Sequence, residues 1–363
     1  MVQPGFNGVM SLYEAMWFSN FGHSVELLLP FHEQEMLQKL LSKHDLRSLD
    51  DLDRVGGDFA IRAVMAGEPV LGNFDVVIYQ SYDAADWRAF AESCRRSAKI
   101  LTKNFPKFVS GRGYEHDPSV VNQFKAFDFI ACALQDDIND LMTCQRFYDQ
   151  HKHQVAYVGR GADDVLLHPA RKIGRNPVIG IDVPVGDDFR AVDQYRKALT
   201  VLRKRGMHPT VLTLGREIPD LGATRVPFAR FDRIYDLFFN EIWIYCVINY
   251  AYSPAHVSAP VQQSHPRGWG ARAVFEVQNV EAQMSGAALF GHQSNVIQEL
   301  FDPGASGFLY PEFDDPEDIA DRIEHIADHY EAIRTRSRQW ALAHFRWSDC
   351  IRRWEQGLLK LLN

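Results

Sequence analysis

Positive charge is in short supply in this chain. Lysine and arginine total 39 against 47 aspartates and glutamates, a formal net charge of −8, whereas a protein that grips a phosphate backbone normally shows a basic stripe or a basic domain. The balance argues against a generic nucleic-acid binder and leaves room only for a local basic patch. Cysteine is sparse as well: Cys94, Cys132, Cys144, Cys246 and Cys350 are scattered and odd in number. Without a CxxC or Cys/His spacing they argue against zinc and against a disulfide framework, and they read as buried structural thiols of a reducing compartment. Long apolar runs are also missing. Trp243–Tyr252 is too short to span a bilayer and contains Asn249, and the N-terminus lacks the basic-then-apolar order of a secretory signal. A cytoplasmic location with no integral membrane segment is the expectation. GxSxG, GxxxxGK[ST] and HExxH are absent, and the fourteen histidines, His151 and His153 among them, form no recognisable ligand set. No metal site is expected.

What the chain does have is length and alternation. Its 363 residues are too many for one hydrophobic core, and 46% of them are hydrophobic, enough for two. Short apolar runs alternate with amphipathic stretches, the pattern of repeated β/α units around parallel sheets. A helix is predicted over Val9–Phe21, followed by strands at Ser24–Leu29, Phe74–Tyr79, Lys99–Thr102, Phe127–Ala131 and Gln154–Val158. The region Glu33–Pro69 reads as helical and charged. Gly161, Pro169, Gly174 and Pro177, interspersed with basic residues, suggest an interdomain linker over Gly161–Arg175. A second series then begins. It runs through strand Val178–Val183, helix Phe189–Arg205, strand Thr210–Leu214, helix Phe231–Tyr245 and strand His256–Val261. Helix Phe275–Ser285, strand Ala287–Phe290 and helix Asn295–Phe301 follow, and Pro316–Leu362 is amphipathic and helical, with Trp340, Phe345, Trp347 and Trp354 expected to face protein.

Five passages carry a resemblance. Gly5-Phe6-Asn7-Gly8 leading to Gly22-His23-Ser24-Val25 is a glycine turn, a helix and a "GHxV" start to a strand. Val155–Pro169 has the form "vixnGvdxxxfxp", and Asn279–Leu289 the form "xxxEAmaxGxpvv". Asp302–Pro311 with Asp314–Ile326 has the form "xgxxGllvxpxdxxxlaxxi", and Ala343–Trp347 resembles "fsw" before a last helix. Together they resemble glycosyltransferase family 4, the group 1 transferases, thinly over nearly the whole chain and best from Ala273 onward. The resemblance implies an α/β protein of the GT-B type: two Rossmann-like doubly wound domains facing across a cleft, with a C-terminal helix crossing back to the first. The expected boundaries are 1–170 for an acceptor domain, 171–345 for a nucleotide-sugar donor domain and 346–363 for the returning helix.

The resemblance also implies roles for residues. Glu281 matches the glutamate that contacts the donor ribose; a carboxylate at a helix start can accept both ribose hydroxyls, as the acid of a Rossmann domain does. An acidic residue in a first helical turn can equally serve only to complement the helix dipole. Gly286 would let that helix stop. Ser294, Asn295 and Val296 occupy the small-residue loop before a helix, where backbone N–H groups suit a diphosphate, and Asn7 and Gly8 permit close backbone approach to an anionic ligand. The pattern also breaks. A first glutamate eight positions before Glu281 is replaced by Ala273, and Glu276 is out of phase with it. The Arg/Lys pair expected after the first strand of the second domain is missing from the acidic stretch Gly180–Asp188. Arg216, following Gly215, and Arg267 or Arg272 are the candidates to replace it. No histidine follows the strand ending near Lys103; Asn104 is placed to bond a sugar hydroxyl, and Lys103 or Lys107 to meet phosphate. Asp51-Leu52-Asp53 reads as "DxD" but sits in a charged helical stretch. It is taken as a solvated face, as are Asp136-Asp137 and Asp163-Asp164. Only Met1–Pro4 precede the glycine turn, where the family has a strand, so either the chain begins unusually late or that strand is missing.

The expected activity is transfer of a sugar from a nucleotide-diphosphate sugar, acting as co-substrate, with no other cofactor and no metal. The acceptor stays open among a saccharide, a lipid-linked glycan, a protein and a nucleic acid, and the oligomeric state is open too. A non-catalytic GT-B binding or scaffold subunit and a nucleotide-sugar epimerase are the rival readings.

Overall fold

The computed structural model describes residues 14–30, 60–64, 74–80, 99–103, 127–133, 149–170, 174–182, 190–214, 221–226, 231–247, 277–292, 298–310 and 315–362, with the single residues 135, 138 and 218. The chain forms two compact units: Met1–Arg160 with Trp347–Asn363, and Gly161–Arg346.

Unit 1 opens with a helix, α1 (residues 14–20), which stops at Gly22 (φ 89°), where the N–H of Gly22 bonds to Ser19 O at 2.8 Å. Strands β1 (Glu26–Pro30) and β2 (Ala60–Val64) pair in parallel. A second parallel sheet runs in the order β3-β4-β5-β6, built from Val76–Gln80, Lys99–Lys103, Phe129–Cys132 and Val155–Tyr157. Phe129–Cys132 is buried along its whole length, as a continuous apolar strand covered on both faces must be.

Unit 2 holds one parallel sheet of six strands: β7 (Val178–Asp182), β8 (Thr210–Leu214), β9 (Thr224–Val226), β10 (Ile244–Cys246), β11 (Ala288–His292) and β12 (Gly307–Tyr310). Their spatial order is β12-β11-β10-β7-β8-β9. Counted from β7, that is the 3-2-1-4-5-6 order of a doubly wound nucleotide-binding domain. The helices are α2 (Arg190–Lys204), α3 (Phe231–Ile234, continuing as a π-helix over Tyr235–Phe239), α4 (Val277–Met284), α5 (Pro316–Asp328) and α6 (Tyr330–His344). Pro316 stands at the first helical position of α5 and Asp315 caps it, its Oδ1 accepting from the N–H groups of Glu317 and Asp318 at 3.1 and 3.0 Å. Trp243 stacks on Tyr330 of α6 with ring centroids 4.4 Å apart and an interplanar angle of 7°, fixing that helix over the centre of the sheet.

The last helix, α7 (Trp347–Leu362), belongs to unit 1. Its Ile351 and Trp354 are fully buried against Phe18 of α1, Phe129 and Ala131 of β5 and Val158. Arg353 lies over the Tyr157 ring, 5.0 Å from its centroid, and its Nε donates to Val158 O at 3.1 Å. Gly357 admits Phe129, whose Cζ would lie 2.6 Å from a Cβ at that position. Of the tail aromatics, Phe345, Trp347 and Trp354 are buried and Trp340 is half-buried, stacked on His344 at 3.9 Å.

Four expectations change. Within Glu33–Pro69, Ala60–Val64 is a strand, not helix: Ile61 and Val64 are β-branched and suit a pleated surface. The helix predicted over Phe231–Tyr245 ends at Phe239, and Ile244–Cys246 forms a central strand. The apolar run from Ile242 onward satisfies both periods, and burial on two faces decides for the strand. Of the helix expected at Asn295–Phe301, Gln298–Leu300 is a single 3₁₀ turn. Asp163 is not a solvated face: it is 7% exposed, and its Oδ1 accepts the N–H groups of Val165 and Leu166 at 2.9 and 2.8 Å, closing a turn. Asp164 pairs with Arg346 at 3.5 Å. The strand expected at His256–Val261, Asp51–Asp53 and Asp136-Asp137 lie outside the described residues.

Cys132, Cys246 and Cys350 are buried free thiols. Burial pushes the Cys246 thiol well above its ordinary range, and the Tyr195 hydroxyl beside it opposes that shift only in part. The thiolate is the nucleophile, so Cys246 is expected to stay unmodified when the folded protein is treated with iodoacetamide at pH 8 and to be alkylated once guanidinium is added. Peptide mass spectrometry reads both states, and rapid labelling of native Cys246 would contradict its placement in the core.

Candidate functional site

In an open parallel sheet, ligands bind outside the carboxyl ends of the strands where the chain order reverses. Here that point lies between β7, ending at Asp182, and β10, ending at Cys246, which pair directly. The chain runs from β7 to β8 and β9 on one side and from β10 to β11 and β12 on the other. Helix α4, leading into β11, buries the polar side chains of Gln278, Asn279, Glu281 and Gln283.

Residues 278–284 of α4 are all buried. Glu281 is 8% exposed, and its Oε1 accepts a hydrogen bond from the Tyr235 hydroxyl at 2.9 Å. It is the fifth residue of the helix, whose first turn holds no acidic side chain. The sequence reading put this carboxylate at a helix start, and the structure corrects it: Glu281 sits beyond the first turn, where the dipole effect fades. Complementing the helix terminus therefore does not account for it. Such burial costs a carboxylate solvation unless hydrogen bonds replace the lost water, and the Tyr235 hydroxyl supplies one of them.

The opposite side of α4 faces the β11–β12 connection. Gln283 Nε2 donates to Leu300 O, and the Ser306 hydroxyl donates to Gln283 Oε1 at 3.3 Å. The helix ends at Gly286 (φ 81°), with the N–H of Ala287 bonded to Ala282 O at 2.9 Å; a side chain there would also meet Pro169 and the Arg334 carbonyl at 3.2 Å. Arg338 of α6 donates to the carbonyls of Leu167 (2.6 Å), Asp164 (2.9 Å) and Met284. It ties the segment that opens unit 2 to the end of α4.

Tyr235 opens the π-helix. This segment is held at its far end by Asn240, whose Nδ2 donates to Leu166 O at 2.9 Å and whose Oδ1 accepts from the His168 N–H at 2.8 Å. The ring is 1% exposed and packs edge-on against Phe239, with centroids 6.1 Å apart. Sequence reasoning passed over Tyr235, because a tyrosine within an amphipathic helical stretch carries no signal of its own. The other sequence-derived candidates, Asn7, Gly8, Asn104, Gly215, Arg216, Arg267, Arg272, Ser294, Asn295 and Val296, lie outside the described residues, as does Ala273. In the chain, Asn104 and Gly215 directly follow the last residues of β4 and β8.

No family model matches the sequence, and no curated protein sequence matches it. Solved structures do. A glycosyltransferase from Rickettsia africae ESF-5 superposes with a TM-score of 0.65 at 13% identity, over 100% of this chain and 97% of that one. Sucrose-phosphate synthase from Thermosynechococcus elongatus gives 0.66 at 12% identity, over 99% and 94%. HepE from Anabaena, in complex with UDP and glucose, gives 0.62 at 12% identity, over 99% and 96%. The fold is that of the GT-B glycosyltransferases. The likeness is one of GT-B architecture over the full length, since at such identity few side chains are shared. No described helix is long and apolar enough to cross a membrane.

Proposed function

We propose that the chain is a glycosyltransferase that moves a sugar from a nucleoside-diphosphate sugar to an acceptor, with the donor held on unit 2. The observation that carries this reading is Glu281: a buried carboxylate, bonded to a phenol, on the helix leading into β11 of a 3-2-1-4-5-6 sheet. Glu281 takes the ribose hydroxyls. The diphosphate rests on the backbone N–H groups around Ser294, Asn295 and Val296, with Arg216 and Arg267 or Arg272 supplying the positive charge. Gly215 allows close backbone approach. HepE, similar over the full length, binds UDP and UDP-glucose, which supports a nucleotide sugar as donor.

The chemistry follows from the leaving group. Breaking the glycosidic bond to a diphosphate develops negative charge on the departing oxygens, and preorganised donors there lower the barrier more than tighter ground-state binding does. The sugar passes through an oxocarbenium-like state, and excluding water removes the competing acceptor. Retention of anomeric configuration is what the resemblance to family 4 implies. No metal enters this scheme, and the proposed setting is the cytoplasm.

One observation favours a second reading, a non-catalytic GT-B subunit. The stretch that continues β7, Gly180–Asp188, ends β7 on Asp182 and contains no Arg or Lys, so the charge clamp must come from elsewhere or is lost. Thermal unfolding against uridine, guanosine, thymidine, adenosine and cytidine diphosphates and their sugar conjugates, with Glu281→Ala in parallel, separates the two. A ligand at a hundred times its Kd adds about 2.7 kcal/mol, or several degrees. The expected result is a shift with one base that Glu281→Ala abolishes. No shift with any nucleotide at millimolar concentration would leave the non-catalytic reading standing.

A further inference from the structure

We infer that Tyr235 is a positioning residue, aiming the Glu281 carboxylate so that the site selects a ribonucleotide donor over its 2′-deoxy counterpart. The inference rests on the donor reading above and adds to it a group that restricts the orientation of Glu281. A glutamate has three rotatable bonds, and one that must meet two adjacent hydroxyls at once loses affinity for every alternative orientation it visits. The Tyr235 hydroxyl removes that freedom: it donates to Oε1 at 2.9 Å from a ring that is itself 1% exposed.

The backbone around Tyr235 is built for that contact. The chain leaves the α-helical turn Phe231–Ile234 and enters a π-helix at Tyr235 itself. A π-turn inserts an extra residue and rotates the following side chains relative to an α-helix; such turns are uncommon and frequent at functional sites. Its effect here is that Tyr235, Phe238 and Phe239 are buried together while Asp236 and Leu237 face out. The phenol, with a donor hydroxyl at the end of a rigid ring, reaches across 46 residues of sequence to one carboxylate oxygen. Phenylalanine would fill the same space, so packing alone does not call for the hydroxyl.

A carboxylate held on one oxygen by a fixed donor is a directional acceptor. A site built to hydrogen-bond a substrate hydroxyl rejects the analogue lacking it strongly, because its polar groups are then left unpaired. The experiment is isothermal titration of the full chain with uridine diphosphate and 2′-deoxyuridine diphosphate, or the corresponding pair for the base the thermal panel selects. The variants are Tyr235→Phe, Glu281→Ala and the double substitution. The wild type is expected to favour the ribonucleotide by about tenfold or more. Tyr235→Phe should bring that ratio close to unity by weakening the ribonucleotide more than its 2′-deoxy counterpart, which keeps only the 3′-hydroxyl, and the double variant should lose no more than Glu281→Ala does. If Tyr235→Phe keeps the wild-type ratio, or weakens both ligands equally, the tyrosine has only a packing role and the inference fails while the donor reading stands. If the wild type binds no nucleotide, the donor reading fails and the inference with it. A Tyr235→Phe protein that does not fold, as judged by circular dichroism, would show the hydroxyl to be structural and would equally overturn the inference.

Discussion

Trp354→Ala is expected to destabilise unit 1 by about 3–5 kcal/mol, the usual loss for truncating a buried aromatic. Trp354 is 0% exposed. Its ring centroid lies 6.0 Å from Phe18 of α1 and 6.1 Å from Phe129 of β5, so one side chain of the last helix joins elements more than two hundred residues earlier in the chain. Neither neighbour can close the space alone: Phe129 is fixed within a paired strand, with Gly357 against its ring tip, and Phe18 sits one turn from the end of α1. The solvent-facing side of the helix contributes much less. His23 Nε2 meets Glu355 Oε1 at 2.9 Å, with both side chains substantially exposed, and pairs of that kind add little. Urea unfolding followed by circular dichroism measures the change. A loss below about 1 kcal/mol would mean that α7 is not held by this cluster. A Trp354→Phe variant should lie between the two, since it keeps part of the ring area.

The same cluster shows what was legible beforehand. The strands Phe74–Tyr79 and Phe127–Ala131 stood out because each is a short, dense apolar run with β-branched or aromatic residues, and the observed β3 and β5 fall on them within two residues. The last helix was legible from its amphipathic spacing. The central strand β10 was not. Ile244, Tyr245 and Cys246 lie in the apolar run Ile242–Ile248 that directly follows the helical stretch, and a run without alternation gives no sign of where helix yields to strand. Asn240 marks the change in the structure, because its side chain is drawn to the Leu166 carbonyl and the His168 N–H, more than seventy residues away in sequence. A contact of that range leaves no local trace.

The site divides along the same line. Glu281 stood out as a candidate because the stretch Asn279–Leu289 resembles the family 4 form "xxxEAmaxGxpvv". The phenol that holds it was invisible, since its orientation depends on a π-turn and not on any residue type.

Gly180→Val should cost about 3 kcal/mol, the upper end of what forcing volume into a packed core usually costs. Valine is otherwise the better residue for a buried parallel strand, so intrinsic preference predicts the opposite sign. Gly180 lies in the middle of β7, paired with Tyr245 on one side and Leu212 on the other. A Cβ there would lie 2.7 Å from Ile242 Cγ2 and 2.8 Å from Phe238 Cζ, closer than non-bonded carbons tolerate. The strand is paired on both edges and cannot retreat, so the strain must pass to Phe238 and Ile242. Phe238 belongs to the π-helix that carries Tyr235, and displacement there should weaken ribonucleotide binding along with stability. Relief confirms the source: in a double-mutant cycle by urea unfolding, Ile242→Ala should cost less in the Gly180→Val background than in the wild type, by about 1 kcal/mol or more. Additive losses would place the strain elsewhere. The glycine would then owe its place to something other than the approach of the π-helix to the strand beside the switch point.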